Sequence, residues 1–251
     1  MKEGKKIELN RYEKRASNFA ENEEFHFEPL SSTKIYLRKP YKKFISILKK
    51  KISKNDSILE IGSGFGQWTK YILDCDANVT ASDISPESLK ILEKFLPKKI
   101  YPKLKTKVVD MENITFPDNY FDCVVSAGSL SYGNNKIVMH EIYRSLKKDG
   151  YFICIDSLNN NPIYKFNRIV HVINARRSFF TIKNMPNINT IKNYKQLFKK
   201  TKLYYFGAIS FLGPFFDNKF FIKIFLKISD YFDSKNIFNI FAFKFIMIAQ
   251  K

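Results

Sequence analysis

A chain of 251 residues with 45% hydrophobic content is long enough for one domain with a sizeable core and too apolar for general disorder. It contains no run of about 18 uncharged apolar residues, which argues against a transmembrane span, and its charged first dozen residues do not read as a secretory leader. The formal net charge of +19 hints at an acidic or polyanionic partner, yet the lysines are scattered along the whole chain, and no zinc-ligand set, arginine-rich tail or appended nucleic-acid module accompanies them. Cys75, Cys123 and Cys154 lack metal spacing. Cys123 and Cys154 fall in apolar strand patterns as small buried hydrophobes, so a reducing cytoplasm fits best and no metal is expected.

In chain order, residues 1–33 form a polar segment marked by Tyr12, Arg15 and His26. His26, set between Phe25 and Phe27, is a candidate general base. Residues 34–50 predict a basic amphipathic helix with Tyr41, Phe44, Ile45 and Leu48 on one face. Ile58, Leu59 and Ile61 read as a short buried strand of a parallel sheet. Gly62, Gly64 and Gly66 then alternate through a turn that lets a ligand approach the backbone. Trp68, Tyr71 and Ile72 open a helix behind it. Strand, glycine turn and helix make a nucleotide-binding unit. A dinucleotide fingerprint would need glycine where Gln67 stands. Asp83, 19 residues past Gly64, closes a second strand and could accept both ribose hydroxyls of either nucleotide class. Ser85 and Pro86 then start a helix running to Phe95.

Val108 to Met111 predict the end of a third strand, and the run from Phe116 to Ser126 leads into a fourth. The loop Ser126–Gly133 should face the reacting group, because ligands of open α/β sheets sit beyond the carboxyl ends of the strands. Its hydroxyls, including Ser129, together with Tyr132 suggest a polar small-molecule pocket. Residues 151–155 form the fifth strand, which ends in Asp156, the best placed candidate base. Asn161, Tyr164, Asn167 and Arg168 follow, groups that orient hydroxyls and phosphates, and Arg168, Arg176 and Arg177 are spaced to reach an anion. Residues 157–200 predict a helical cap over the substrate. Residues 203–207 read as a sixth strand and 241–249 as the last. Between them residues 219–232 read as a helix whose Phe221, Ile224, Phe225 and Ile228 cover the sheet while its lysines form a polar stripe; peripheral membrane contact is the lesser reading.

Taken together, the E-x-G-x-G-x-G turn at 60–66, Asp83, Asp110-Met111, "FPDNYFDCVVS" and Glu141 to Phe152 resemble the class I S-adenosylmethionine-dependent methyltransferases, in register over roughly residues 55–157. The resemblance implies a single Rossmann-like domain, 1–251, with a seven-stranded, mostly parallel sheet, an antiparallel last strand and helices on both faces. It assigns Glu60, Gly62, Gly64, Gly66, Trp68, Asp83, Ile84 and Ser126 to the cofactor, Asp110 to the adenine amino group and Met111 to the ring. Tyr12 and Arg15 would belong to an N-terminal lid, and Asp156, His26 and Tyr132 would be the catalytic candidates. Ser129, Asn161, Tyr164, Asn167, Arg168, Arg176 and Arg177 would meet the substrate. The run "DSLNNNPIYKFNR" looks like a segment of bacterial methyltransferases encoded with surface-polysaccharide genes. That likeness implies O-methylation of a sugar or a phosphorylated or nucleotide-linked precursor, a phosphoramidate-type group included. An RNA methyltransferase and a non-catalytic cofactor-binding protein are the alternatives, and the oligomeric state stays open.

Overall fold

A computed structural model describes residues 3–21, 30–31, 33–173, 178–216 and 218–251. Its elements in chain order are α1 (Glu3–Glu21), α2 (Arg38–Lys51), β1 (Ser57–Ile61), α3 (Thr69–Leu73), β2 (Asn78–Asp83), α4 (Pro86–Phe95) and β3 (Leu104–Val108). There follow β4 (Phe121–Ala127), α5 (Asn135–Ser145), β5 (Leu146–Ser157), α6 (Pro162–Ile173), α7 (Phe179–Asn184), α8 (Ile188–Leu197), β6 (Lys200–Phe206), α9 (Lys219–Ser234) and β7 (Lys244–Gln250).

The strands form one seven-stranded sheet in the order β3-β2-β1-β4-β5-β7-β6. The first five pair in parallel, and β7 runs antiparallel to both β5 and β6. The chain reverses direction in the sheet between β1 and β4, and at such a switch the strand ends open a crevice for a ligand.

The apolar pattern of the strands explains the layers. Ile58, Val79, Cys123 and Ile153 point to one face, where Phe44 and Leu48 of α2, Ile72 of α3 and Leu92 of α4 cover them. Leu59, Val124, Phe152 and Cys154 point to the other, against Val138 and Ile142 of α5 and Ile191 and Tyr194 of α8. Each fully buried large side chain contributes about 1.5–3 kcal/mol. Burial also pushes the Cys154 thiol well above its ordinary range, so it stays protonated core material.

Boundaries shifted where local chemistry outweighed hydrophobic pattern. The basic helix expected from residue 34 begins at Arg38, after a 3-10 turn at Ile35–Leu37. The sixth strand starts at Lys200 because its first three residues pair with Gln250, Ala249 and Ile248 of β7. The last strand starts at Lys244, not Phe241, since Asn236–Phe241 close a 3-10 turn first. The expected helix at 86–95 is capped as read, with the Ser85 hydroxyl accepting from the Ser88 N–H at 3.1 Å. The segment after β5 does form helices, α6 to α8. Among the described residues no helix is long and apolar enough to cross a membrane.

Candidate active site

The glycine turn after β1 works by backbone geometry. Gly62 has φ +65°, and a Cβ there would stand 2.4 Å from the Ser129 Cβ, so only glycine lets the loop after β4 close against it. Gly64, with φ +54°, has the opposite surroundings: a Cβ would meet nothing within 4 Å. Its bare backbone faces open space, the cradle a ligand needs. Asp83 fixes this loop, accepting from the Gly64 N–H at 2.9 Å through Oδ2 and from the Ser85 N–H at 2.9 Å through Oδ1. Burial raises its carboxyl above the ordinary value, against the lowering by those N–H groups.

These residues line a cavity of about 1020 Å³, counting its open mouth, at the carboxyl ends of β1, β2 and β4. Of the residues assigned from sequence, Tyr12, Arg15, Gly62, Gly64, Trp68, Asp83, Ile84, Asp110, Met111, Ser129 and Tyr132 line it. Three others stand behind its wall. Glu60 is buried, accepts from the Thr69 hydroxyl at 2.6 Å, and is pushed up to about 7 by burial. Gly66 packs against Leu92 of α4, and the Ser126 hydroxyl lies 2.7 Å from that of Ser129. Ser129, expected at the substrate, in turn donates to the Ile61 carbonyl at 2.9 Å; its hydroxyl holds the wall together.

Helix α1 forms the roof. Lys5 Nζ donates to both oxygens of Asp110 at 2.7 Å and lies 3.0 Å from Glu112. One turn on, the buried Glu8 pairs with Arg11 at 3.0 Å. Tyr12 then donates to the Tyr132 hydroxyl at 2.8 Å, their rings edge to face at 5.5 Å. Burial and the neighbouring Tyr132 push the Tyr12 hydroxyl far above its ordinary range, so it acts as a neutral donor. Arg15 lies 5.6 Å over the ring of Phe65 in the glycine loop. The sequence reading missed Lys5, Glu8 and Leu9. Their spacing with Tyr12 and the buried Ala16 follows one helical face, the signal that was available.

The substrate set assigned after β5 does not converge on the cavity. Asp156 is buried, with Oδ2 accepting from the Leu130 N–H at 2.9 Å and Oδ1 from the Ser157 N–H at 2.6 Å. It pins the loop after β4 to the end of β5 and is not placed as a base. Asn161 caps α6, accepting from the Ile163 N–H and donating to the Phe241 carbonyl at 2.9 Å. Tyr164 donates to the Gly207 carbonyl at 2.8 Å, and the buried Arg168 donates to the Leu158 carbonyl at 2.9 Å and to Asn159 Oδ1 at 3.0 Å. Asn167 is exposed away from the cavity. The physical reason is common to them: a cap that leaves the sheet needs its own backbone caps, and these polar side chains supply them. His26, Arg176 and Arg177 lie outside the described residues.

A glycine cradle, two strand-end carboxylates and a helical roof over one cavity have the form of a nucleoside-cofactor site on a Rossmann-like sheet. Residues 59–154 match the family model described as a methyltransferase domain. Residues 59–154, which hold the glycine turn, Asp83 and Asp110, thus match a methyltransferase domain, and the match points to S-adenosylmethionine as the cofactor. Over 122 residues it is 35% identical to the sterol 4-C-methyltransferase strm-1 of Caenorhabditis elegans, spanning 48% of this chain and 36% of that protein. It is 33% identical over 110 residues to the ubiquinone/menaquinone biosynthesis C-methyltransferase UbiE of Rickettsia bellii, spanning 41% of this chain and 44% of that one. The chain therefore spans less than half the length of these relatives. Among solved structures, phosphoethanolamine N-methyltransferase 2 of Haemonchus contortus, in complex with S-adenosylmethionine, superposes with a TM-score of 0.58 at 16% identity. That likeness covers 84% of this chain and 52% of the other, and it concerns the fold.

Proposed function

We propose that the protein transfers the methyl group of S-adenosylmethionine to a small acceptor beside Tyr132. The observation that carries this reading is the convergence of the open Gly64 cradle, Asp83, Asp110 and the Tyr12–Tyr132 pair on one cavity. When bound, the cofactor supplies a methyl carried by an electrophilic sulfonium. In this reading Asp83 accepts from the ribose hydroxyls, and Asp110 with Met111 meets the adenine. Arg15 stands beside the glycine loop as a partner for the cofactor carboxylate. Because Tyr12 donates to Tyr132, the Tyr132 proton is directed away from Tyr12 and is free to orient an acceptor oxygen. Holding the acceptor in line and excluding water can supply roughly 7–11 kcal/mol of the barrier. Helix α1 is the lid that does the excluding.

The acceptor we propose is a hydroxyl-bearing small molecule, with a sugar precursor of a bacterial surface polysaccharide as the leading class. Its support is the Tyr132 hydroxyl on the cavity wall and the likeness of residues 156–168 to polysaccharide-associated methyltransferases. The arginine anchor for a phosphorylated or phosphoramidate-type group has lost its support at Arg168, which is turned inward. A second reading, methylation of carbon on a lipophilic ring, is favoured by the names of the two curated relatives. Transfer of labelled methyl from S-adenosylmethionine to nucleotide sugars, quinols and RNA tests these together. Label in a nucleotide sugar is the expected result. Label in a quinol establishes the second reading, and salt-sensitive labelling of RNA overturns both. Thermal shift with S-adenosylhomocysteine but no label in any acceptor would mark a non-catalytic binding protein.

A further inference from the structure

Two helices of the C-terminal half are built the wrong way round for a protein that ends at this surface. In α6 the side chains that face inward include Arg168 and Tyr164, both hydrogen-bonded to backbone carbonyls. Its apolar positions face out: Phe166 is 70% exposed, Ile169 51% and Ile173 77%. The spacing i, i+3, i+7 puts all three on one arc. In α9, Phe225 and Ser229 are the buried side. Phe220, Ile224 and Ile228, at i, i+4 and i+8, form a second arc that is exposed, although the hydrophobic pattern predicts Ile224 and Ile228 against the sheet. A helix of this amphipathic strength normally buries its apolar stripe, and leaving both out exposes several aromatic and aliphatic groups together.

Each helix packs by its buried side on the same neighbourhood of the fold. Both helices flank the same pair of 3-10 turns, Ser210–Phe215 and Asn236–Phe241: Asn161 at the start of α6 donates to the Phe241 carbonyl, and the Tyr164 ring lies 6.0 Å from that of Phe211. On the α9 side the Phe216 and Phe225 rings stack at 4.8 Å, and the Phe232 and Phe238 rings meet at 4.6 Å. Exposed lysines border the arcs, Lys165 on α6 and Lys223 with Lys227 on α9, in a chain of net charge +19.

We propose that the exposed arc of α9 docks on an anionic lipid bilayer, with Phe220, Ile224 and Ile228 entering the headgroup–acyl boundary and Lys223 and Lys227 facing the lipid phosphates. Exposed aromatics flanked by lysines on the same helix are the composition that lies in an interface rather than across it. A second copy of the chain fits less well, because a two-fold contact would bring Lys223 and Lys227 of one copy against the same basic face of the other.

Flotation of the full chain with vesicles of equal parts phosphatidylcholine and phosphatidylglycerol, against pure phosphatidylcholine, tests the proposal. The chain is expected to float with the acidic vesicles and to be released by salt. Phe220→Ser, Ile224→Ser and Ile228→Ser should each weaken the partition roughly tenfold, about the value of half-burying a large apolar side chain. Lys223→Gln and Lys227→Gln should each weaken it roughly fivefold. All five positions are exposed and outside the cavity, so the thermal shift with S-adenosylhomocysteine should remain as in the parent and certify the fold. Absence of flotation, or flotation that the five substitutions leave unchanged, overturns the proposal. A concentration-dependent dimer in sedimentation that Phe220→Ser dissolves, without flotation, would assign the face to a second copy and overturns it equally.

Discussion

The stretch from β1 to β4 and the stretch from β5 to α6 leave the same edge of the same sheet, and both are rich in polar residues. In the first, Asp83, Asp110 and Tyr132 line a cavity. In the second, Asp156, Asn161, Tyr164 and Arg168 are spent on internal carbonyls and N–H groups. The difference is set by the backbone. Glycines in the left-handed region keep the first turn tight and leave its surface bare, so the flanking side chains face a ligand. The second stretch leaves the sheet as a helix that Asn161 caps, while Asp156, Tyr164 and Arg168 hold N–H groups and carbonyls of the neighbouring loops. Density of hydrogen-bonding groups is therefore a weaker sign of a site than a backbone that has been cleared for one.

The sharpest way to break this contrast is Asp83→Ala. If Asp83 accepts both ribose hydroxyls, each such bond to a carboxylate is worth about 1.5–3 kcal/mol. Affinity for S-adenosylhomocysteine should fall on the order of 100-fold or more by calorimetry. Unchanged affinity would remove Asp83 from the cofactor site and, with it, the claim that the first stretch differs in kind from the second.

Glu60 sharpens the same contrast through pH. Its folded-state value of about 7 lies above its ordinary 4.5, because burial penalises the charged form. The folded protein thus holds that proton more tightly than the unfolded chain. The associated stability is complete below about pH 4.5 and is lost as pH rises through about 7, a span worth on the order of 3 kcal/mol. Glu60→Gln keeps an acceptor for Thr69 and should flatten the fall of the melting temperature across that window. A wild-type melting curve already flat between pH 5 and 8 would show that Glu60 is charged in the folded state.

Arg168→Ala should behave as a core change. Removing a buried guanidinium bonded to Leu158 and Asn159 is expected to lower stability by about 2 kcal/mol. Turnover per folded molecule should stay within about twofold, since no atom of Arg168 lines the cavity. A raised KM at unchanged melting temperature would instead restore the anion anchor.

The fold was largely legible because its signals are local and mutually consistent. The apolar run at Ile58–Ile61, the glycine turn and the Ser85-Pro86 cap each point to one conformation, and the arrangement of strands agrees with what the family resemblance implies. That Gly62, Gly64, Asp83 and Asp110 share one cavity was legible for the same reason. Lys5 and Glu8 were not, because α1 is so polar that its inward face shows only as spacing, without an apolar stripe. The roles of Asp156 and Arg168 were misread because sequence shows which groups can hydrogen-bond but not whether a nearby backbone N–H or carbonyl reaches them first. In α9 the pattern misled in the other direction. Phe221, Ile224 and Ile228 look like core residues, but the helix packs through Phe225 and Ser229 and leaves them exposed.

The smallest expected effect probes the one point where α1 and the loop after β4 meet. Tyr132→Phe keeps the ring against Tyr12 but deletes the oxygen that accepts the Tyr12 proton 2.8 Å away. If that oxygen also orients the acceptor, kcat should fall roughly tenfold, the worth of one neutral hydrogen bond of about 1–1.5 kcal/mol, while affinity for S-adenosylhomocysteine stays constant. Tyr12→Phe should reproduce only part of this loss, because Tyr132 keeps its own proton and loses just the group that directs it. Were Tyr12→Phe the more damaging of the two, the hydroxyl that meets the acceptor would belong to α1. The lid would then take part in binding the substrate as well as closing over it.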